Sequence, residues 1–301
     1  MKKIGIVINP IAGLGQGTRI LKTLVNSLKH NGYEPVIKAT SKPGDAANLT
    51  ESCHDYYAVI CIGGDGTVNE VINGLLRLKH KLPLGIIPVG SGNVIAKELK
   101  INANINKFIH SLKKHNTKLI DVGKVSLRHK KALTERYFVS MAGVGFDAEV
   151  TRQHHLKRNG ADFFPHTTSY LPLALKIGLT YKLPKISIEV DGKAVTDDAK
   201  FVQLANASSY GGPFKFAHHA KHDDGYLDVI WFKADVSRDL FRHYWNSLWA
   251  DLTKTKGVHH KKGKEIKLLT NDEVPVQIDG DFCGHLPMHS KVVPKAISVF
   301  I

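Results

Sequence analysis

The apolar positions along this chain change their rhythm near residue 125. Before that point, short unbroken apolar runs alternate with stretches whose apolar residues recur every three to four positions. "KIGIVIN" reads as a buried strand, and Ile20, Leu21, Leu24, Val25 and Leu28 then mark one helix face, stopped by Asn31-Gly32. "EPVIKAT", "YAVICI", "LGIIPV" and "KLIDVGKV" predict further strands. "DAANLTES", the face formed by Val68, Val71, Ile72, Leu75 and Leu76, "NVIAKEL" and "INKFIHSLKK" predict the helices between them. Repeated βα units imply a parallel sheet covered on both faces.

Beyond residue 125 strand patterns dominate: "ERYFVSMAGVGF", "KISIEVDGKAV", "AKFVQLANAS", "GYLDVIWF", "EIKLLT" and "VPVQIDGDF". Asp191-Gly192 and Asp279-Gly280 are hairpin signals within them. Helical patterns interrupt the strands around 167–181 and 237–253. The expected architecture is an α/β N-terminal domain with a parallel sheet over residues 1–125, then a β-rich, sandwich-like C-terminal domain over residues 126–301. A final strand near 290–301 is a candidate to return to the first domain.

Charge changes the picture next. The chain has 301 residues and a formal net charge of +15. Such a field favours anionic partners: nucleotides, nucleic acid or the anionic face of a membrane. No recognised nucleic-acid module accompanies it, so nucleic acid is not an expected partner. Cys53, Cys61 and Cys283 form no CxxC pair, which fits reduced thiols in a cytoplasmic chain. The opening "MKKIGIVINP" stops its apolar run at Asn9-Pro10, too early for a signal peptide. No stretch approaches the roughly 18 apolar residues of a membrane span. The doublets His154-His155, His218-His219 and His259-His260 lack other ligands at zinc spacing and read as surface residues.

The candidate chemistry lies where three first-domain strands end in glycine-rich turns: "INPIAGLGQG", "CIGGDGTVNE" and "IPVGSGNVIA". In a parallel sheet these turns share the carboxyl edge, where ligands bind. Glycines let backbone N–H groups approach an anion, and a following helix adds its dipole. Neither a Walker A sequence nor GxGxxG is present. Asp65, set among Gly63, Gly64 and Gly66, would repel a phosphate unless a divalent cation lay between them. Two readings follow: a ligand of a Mg²⁺–nucleotide, or the cap of the helix that begins near Thr67.

"GGDGTVNEVINGL", preceded by "NPIAGLGQG" and followed by "PVGSGNVIAKEL", resembles the diacylglycerol kinase catalytic-domain family, which includes bacterial lipid kinases and sphingosine kinases. The resemblance extends through "AGVGFDAEV", "ANASSYGGPFKFA", "DDGYLDVIWF" and "QIDGD", nearly the whole chain. It implies an ATP-binding first domain and a lipid-substrate second domain, with ATP and Mg²⁺ serving phosphoryl transfer to a lipid hydroxyl. By the same resemblance, Asn9, Thr40, Gly63, Gly64, Asp65, Gly66, Thr67, Val68, Asn69 and Ser91 would contact ATP, with Glu70 and Asn93 supporting them. Ser91 stands where bacterial members often carry Thr; the Ser-Gly-Asn form is similar to the sphingosine kinases. "KHDDGYLDV" resembles the segment of a structural Mg²⁺ site, implying ligation by the Asp224 side chain and the carbonyls of Lys221 and Tyr226; read without the resemblance, Asp224-Gly225 is a turn signal. Asp281 stands where the family usually has Glu, the proposed general base for the lipid hydroxyl. An aspartate can do that chemistry, but it is one methylene shorter; either the backbone compensates, or the catalytic residue that activates the hydroxyl is Asp65, as the resemblance to the sphingosine kinases implies.

A lipid substrate requires contact with the inner face of the membrane. Lys254, Lys256, Lys261, Lys262 and Lys264 could each contribute about 1 kcal/mol of attraction to an anionic surface. Phe241, Trp245, Leu248, Trp249 and Leu252 lie along one helical face, suited either to a bilayer interface or to core packing. The resemblance also implies a homodimer. Alternatives are an NAD kinase, which shares GGDGT, and a non-catalytic nucleotide- or lipid-binding protein.

Overall fold

The computed structural model describes residues 1–129, 132–158, 173, 176–178, 180–209, 217–233 and 255–301. The helical pattern at 237–253, with Phe241, Trp245, Leu248, Trp249 and Leu252, falls outside these residues, as do Lys254 and most of 167–181. The chain forms two compact units: Met1–Asp121 with Lys295–Ile301, and Val122–Pro294.

The first unit contains β1 (Lys2–Ile8), α1 (Gln16–His30), β2 (Tyr33–Ala39), α2 (Asp45–Glu51), β3 (Ala58–Gly63) and α3 (Asp65–Arg77). β4 (Leu84–Pro88), α4 (Val94–Glu98), α5 (Ile105–Lys114) and the start of β5 (Thr117–His129) complete it. The strands pair in parallel in the order β2-β1-β3-β4. Val299, in the C-terminal segment, pairs in parallel with Leu84 of β4.

Burial on both faces explains the unbroken apolar runs. Ile4, Ile6 and Ile8 of β1 pack in one cluster with Leu24 and Leu28 of α1 and Phe108, Ile109 and Leu112 of α5. Each fully buried side chain of this size contributes about 1.5–3 kcal/mol. The alternate residue Gly5 faces the other side, where a Cβ would meet Cys53 Sγ at 2.6 Å. There α2 packs on β1 and α3. α5 starts where Asn104 Oδ1 accepts the Lys107 N–H at 3.1 Å and ends at His115 in the left-handed region.

The second unit runs β6 (Ala132–Phe138), β7 (Met141–Val144), α6 (Phe146–Arg158), β8 (Ile186–Val190), β9 (Lys193–Ala199) and β10 (Phe201–Ala205). It continues with β11 (Leu227–Phe232), β12 (Val258–Gly263), β13 (Glu265–Leu269), β14 (Pro275–Ile278) and β15 (Asp281–Phe300), which leaves the unit after Pro294. The strand order β12-β11-β10-β7-β14-β15 is antiparallel throughout. β13 pairs with β15 and β8, and β8 with β9. A sandwich-like core gathers Val144, Val202, Leu204 and Val276 with Ile186, Ile188, Ile266 and Leu268. A second cluster joins Phe146 and Val150 of α6 to Phe201, Ile230 and Phe232.

The structure departs from the sequence pattern in three places. "ERYFVSMAGVGF" is two strands rather than one, broken at Val139-Ser140, and Gly145 at φ 96° turns the chain into α6. α6 carries Asp147, Glu149, Thr151, Arg152, Gln153 and His154, too many polar residues for an apolar stripe to show. His154 on this helix is buried, not a surface residue. Finally, Val258–Gly263 of the lysine-rich segment is strand β12 paired with β11.

Candidate functional site

The glycine turns follow β1, β3 and β4 at their carboxyl ends and touch one another. Gly13 has φ 59°, and a Cβ on it would lie 2.2 Å from the Val89 carbonyl oxygen. A Cβ on Gly90 would lie 2.5 Å from Gly64 Cα. These approaches are closer than any side chain permits, so glycine is required for contact between turns.

Asp65 is the first residue of α3, whose N-cap, Gly64, makes no side-chain cap bond. The carboxylate does not cap its own helix. It reaches across to α4, where Oδ1 accepts the Val94 N–H at 2.6 Å. A Cβ on Gly92 would lie 2.6 Å from Oδ2, so glycine makes room for the carboxylate. Burial pushes the Asp65 pKa up, and backbone donors from Val94, Ile95 and Asn93 offset only part of that cost. The Lys97 charge also favours the ionised form, and a carboxylate oxygen at this edge is the type of donor a divalent cation takes.

Around it, Asn9 Nδ2 donates to Thr67 Oγ1 at 3.5 Å, and Asn9 Oδ1 accepts the Ile11 N–H at 3.2 Å. The Thr40 N–H donates to the Ile8 carbonyl at 2.9 Å, holding Thr40 at the end of β1. Thr67, Val68 and Asn69 are buried, while Gly66 is exposed with nothing within 4 Å of its would-be Cβ. The first turn of α3 therefore offers backbone N–H groups at an open face. Asn69 anchors the helix inward, accepting from Asn73 Nδ2 at its carbonyl and at Oδ1.

Glu70 has a role that spacing alone did not specify. Its Oε1 accepts the Gly44 N–H at 2.8 Å and its Oε2 the Ala46 N–H at 3.1 Å, tying α3 to the start of α2. Asn93, at φ 50°, closes the third turn by bonding both ways with Gly90, at 2.9 and 2.6 Å. Ser91 sits exposed on that turn.

In the second unit, Asp224 Oδ1 accepts the Tyr226 N–H at 3.1 Å, and Oδ2 accepts from Lys262 Nζ at 2.6 Å. Lys262 also lies 3.7 Å from Asp228 Oδ2, while Asp228 Oδ1 meets His260 Nε2 at 2.6 Å. An ammonium already faces the carboxylate, so Lys221, Asp224 and Tyr226 as arranged do not fit a divalent metal. No group of three or more His, Cys, Asp or Glu residues that could hold a metal occurs among the described residues.

Asp281 opens β15 half exposed, with Oδ2 3.8 Å from the Arg136 guanidinium. The neighbouring Asp279 is a residue the sequence reading used only as a turn signal. Its carboxylate accepts three backbone N–H groups, from Val139 at 2.8 Å, Ser140 at 2.9 Å and Met141 at 2.8 Å. Behind it, the buried Asp147 Oδ2 accepts from Gln277 Nε2 at 2.7 Å and Gln203 Nε2 at 3.2 Å. These residues lay within the quoted motifs, but nothing local announced their partners.

Contacting glycine turns at the carboxyl edge of a parallel sheet, followed in the chain by a β-sandwich-like unit, are the architecture of the kinases whose family models match this chain. Residues 3–125 match the family model of the diacylglycerol kinase catalytic domain. Residues 140–301 match the YegS C-terminal NAD kinase beta sandwich-like domain. A diacylglycerol kinase of Staphylococcus saprophyticus is 29% identical over 305 residues, spanning 99% of this chain and 95% of that one. A protein of Streptococcus pneumoniae serotype 4 is 30% identical over 309 residues, spanning 100% of this chain and 98% of that one. A crystal structure of a diacylglycerol kinase from Bacillus anthracis superposes with a TM-score of 0.71 at 24% identity, over 99% of this chain and 96% of that one. Yeast NADH kinase shares the fold more distantly, with a TM-score of 0.54 at 10% identity over 99% of this chain and 82% of that one. The chain belongs to the diacylglycerol kinase family and is a lipid kinase of that type.

Proposed function

We propose that this enzyme transfers the γ-phosphoryl group of ATP, with Mg²⁺, to a hydroxyl of diacylglycerol or a related lipid such as a sphingoid base. The observation that carries the reading is the placement of Asp65: a largely buried carboxylate held by the Val94 N–H beside the open first turn of α3. In this reading that first turn and Asn9 bind the phosphates, Thr40 and Ser91 contact the nucleotide, and Glu70 and Asn93 hold the turns in shape. Held by Asp65 with the nucleotide, Mg²⁺ would neutralise phosphate charge during transfer. Asp281 accepts the proton of the lipid hydroxyl as it attacks.

The enzyme acts in the cytoplasm at the inner face of the membrane. No helix among the described residues is long and apolar enough to cross a bilayer; in this reading the lipid is met at the membrane surface. Lys256, Lys261 and Lys264 are exposed and available to anionic headgroups, whereas Lys262 is committed to Asp224 and Asp228. The test is incubation with Mg-ATP and mixed micelles of diacylglycerol, monoacylglycerol or sphingosine, with NAD as a further acceptor. Labelled phosphate on a lipid supports the reading. Phosphate on NAD alone, or ATP binding with no transfer, overturns it.

A further inference from the structure

The hairpin that presents Asp281 is fixed from below by charge rather than by packing alone. β14 and β15 are joined by Asp279 and Gly280, at φ 47° and 90°, with Ile278 paired to Asp281 across the turn. Opposite lies the break between β6 and β7, where ladder bonds are lost and backbone N–H groups need partners. The Asp279 carboxylate fills that break: Oδ2 takes the Val139 N–H, and Oδ1 takes those of Ser140 and Met141. The Asp279 N–H returns a bond to the Met141 carbonyl at 2.9 Å. Charge-assisted bonds of this kind are about twice as strong as neutral ones.

A second tie acts on the next residue. The Gly280 N–H donates to Gln277 Oε1 at 2.8 Å, and the amide of Gln277 is held by the buried Asp147. Both turn residues are therefore anchored to side chains or backbone of the sandwich, and Asp281 follows directly. An aspartate has one fewer rotatable methylene than a glutamate with which to reach its target. Where the backbone stands then decides where the carboxylate stands, and about 1 Å of misplacement can cost a hundredfold in rate.

We infer that Asp279 is a positioning residue for the reaction: its three-amide clamp sets the place from which Asp281 takes the hydroxyl proton. This rests on the reading of Asp281 as the base. Asp279→Asn keeps an acceptor but turns an N–H toward one of the three donors and removes the charge; Asp279→Ala removes the clamp.

The experiment uses the full chain and four proteins: wild type, Asp279→Asn, Asp281→Asn and the double variant. Expected for Asp279→Asn is a ten- to hundredfold fall in kcat, with the KM for ATP within about twofold and ATP affinity intact by calorimetry. In the Asp281→Asn background the same change should cost less than about twofold, because the group it positions is already gone. Hydrogen exchange supplies a readout independent of turnover: amides 139–141 and 280–282 should exchange at least tenfold faster in Asp279→Asn. Equal losses in both backgrounds would make Asp279 merely structural and overturn the inference. Unchanged exchange in the hairpin would overturn it whatever the activity. If Asp281→Asn alone leaves kcat unchanged, both the base assignment and the inference fall while lipid phosphorylation by the wild type still stands. If the wild type phosphorylates nothing, the kinase reading and the inference fall together, even where the hairpin loosens as expected.

Discussion

Asp147 gives the sharpest quantitative handle on the second unit. It is buried near the start of α6, with two glutamine amides, from Gln277 and Gln203, on one oxygen. Burial pushes its pKa from 3.8 up to about 6, and the amide bonds offset only part of the cost. Because the folded value lies above the unfolded one, this group's stability contribution is complete below pH 3.8 and is lost as pH rises through 6. The gap corresponds to about 3 kcal/mol at neutral pH, of which about 2 kcal/mol falls between pH 4.5 and 7.5. Asp147→Asn keeps an acceptor for the two amides and cannot ionise. It also brings an N–H donor to a cluster in which Gln203 Oε1 is buried without a hydrogen-bond partner. Urea unfolding of both proteins at pH 4.5, 5.5, 6.5 and 7.5 should show Asp147→Asn gaining on wild type by about 2 kcal/mol across the series. Groups common to both proteins cancel in the difference. Parallel profiles would mean that the carboxylate is not titrating where its burial places it, and the argument would fail.

Gly92→Ala places a Cβ 2.6 Å from Asp65 Oδ2, displacing the carboxylate from the Val94 N–H; ATP affinity by calorimetry should fall at least tenfold while the far-ultraviolet circular dichroism is kept. Gly66→Ala, within the first turn of α3, meets nothing within 4 Å and should leave the melting temperature the same or slightly higher, yet weaken ATP binding by crowding that open turn. Lys262→Met strips the ammonium from Asp224 and from the buried Asp228, and should cost about 1–2 kcal/mol in urea unfolding. With Asp224 already engaged, wild type and Asp224→Asn should respond alike in melting temperature to Mg²⁺ without nucleotide. Cys53, its thiol pushed up to about 11 by burial, and the buried Cys61 and Cys283 should resist iodoacetamide at pH 8 in the native state and react in urea.

What the sequence could and could not disclose is clearest at its Asp-Gly pairs. Periodicity needs only near neighbours, so α5 (Ile105–Lys114) and the parallel strands were legible in the alternation of apolar runs. α6 was not, because its buried face includes Asp147, Thr151 and His154. The pairs at 65, 191, 224 and 279 look alike locally, each an acid beside a glycine. In the folded chain each carboxylate meets something different. Asp191 accepts the N–H groups of Lys264 and Glu265 and locks a hairpin to its neighbour. Asp224 takes an ammonium, and Asp279 takes three amides in a break between strands. Those partners lie 38 to 140 positions away in the chain, beyond the reach of any local pattern. Asp65 differs in that its amide donor opens another helix, beside the exposed backbone of Gly66 at the carboxyl edge of a parallel sheet. The residue type alone does not tell these four acids apart; the distant partners that the fold brings to each carboxylate do.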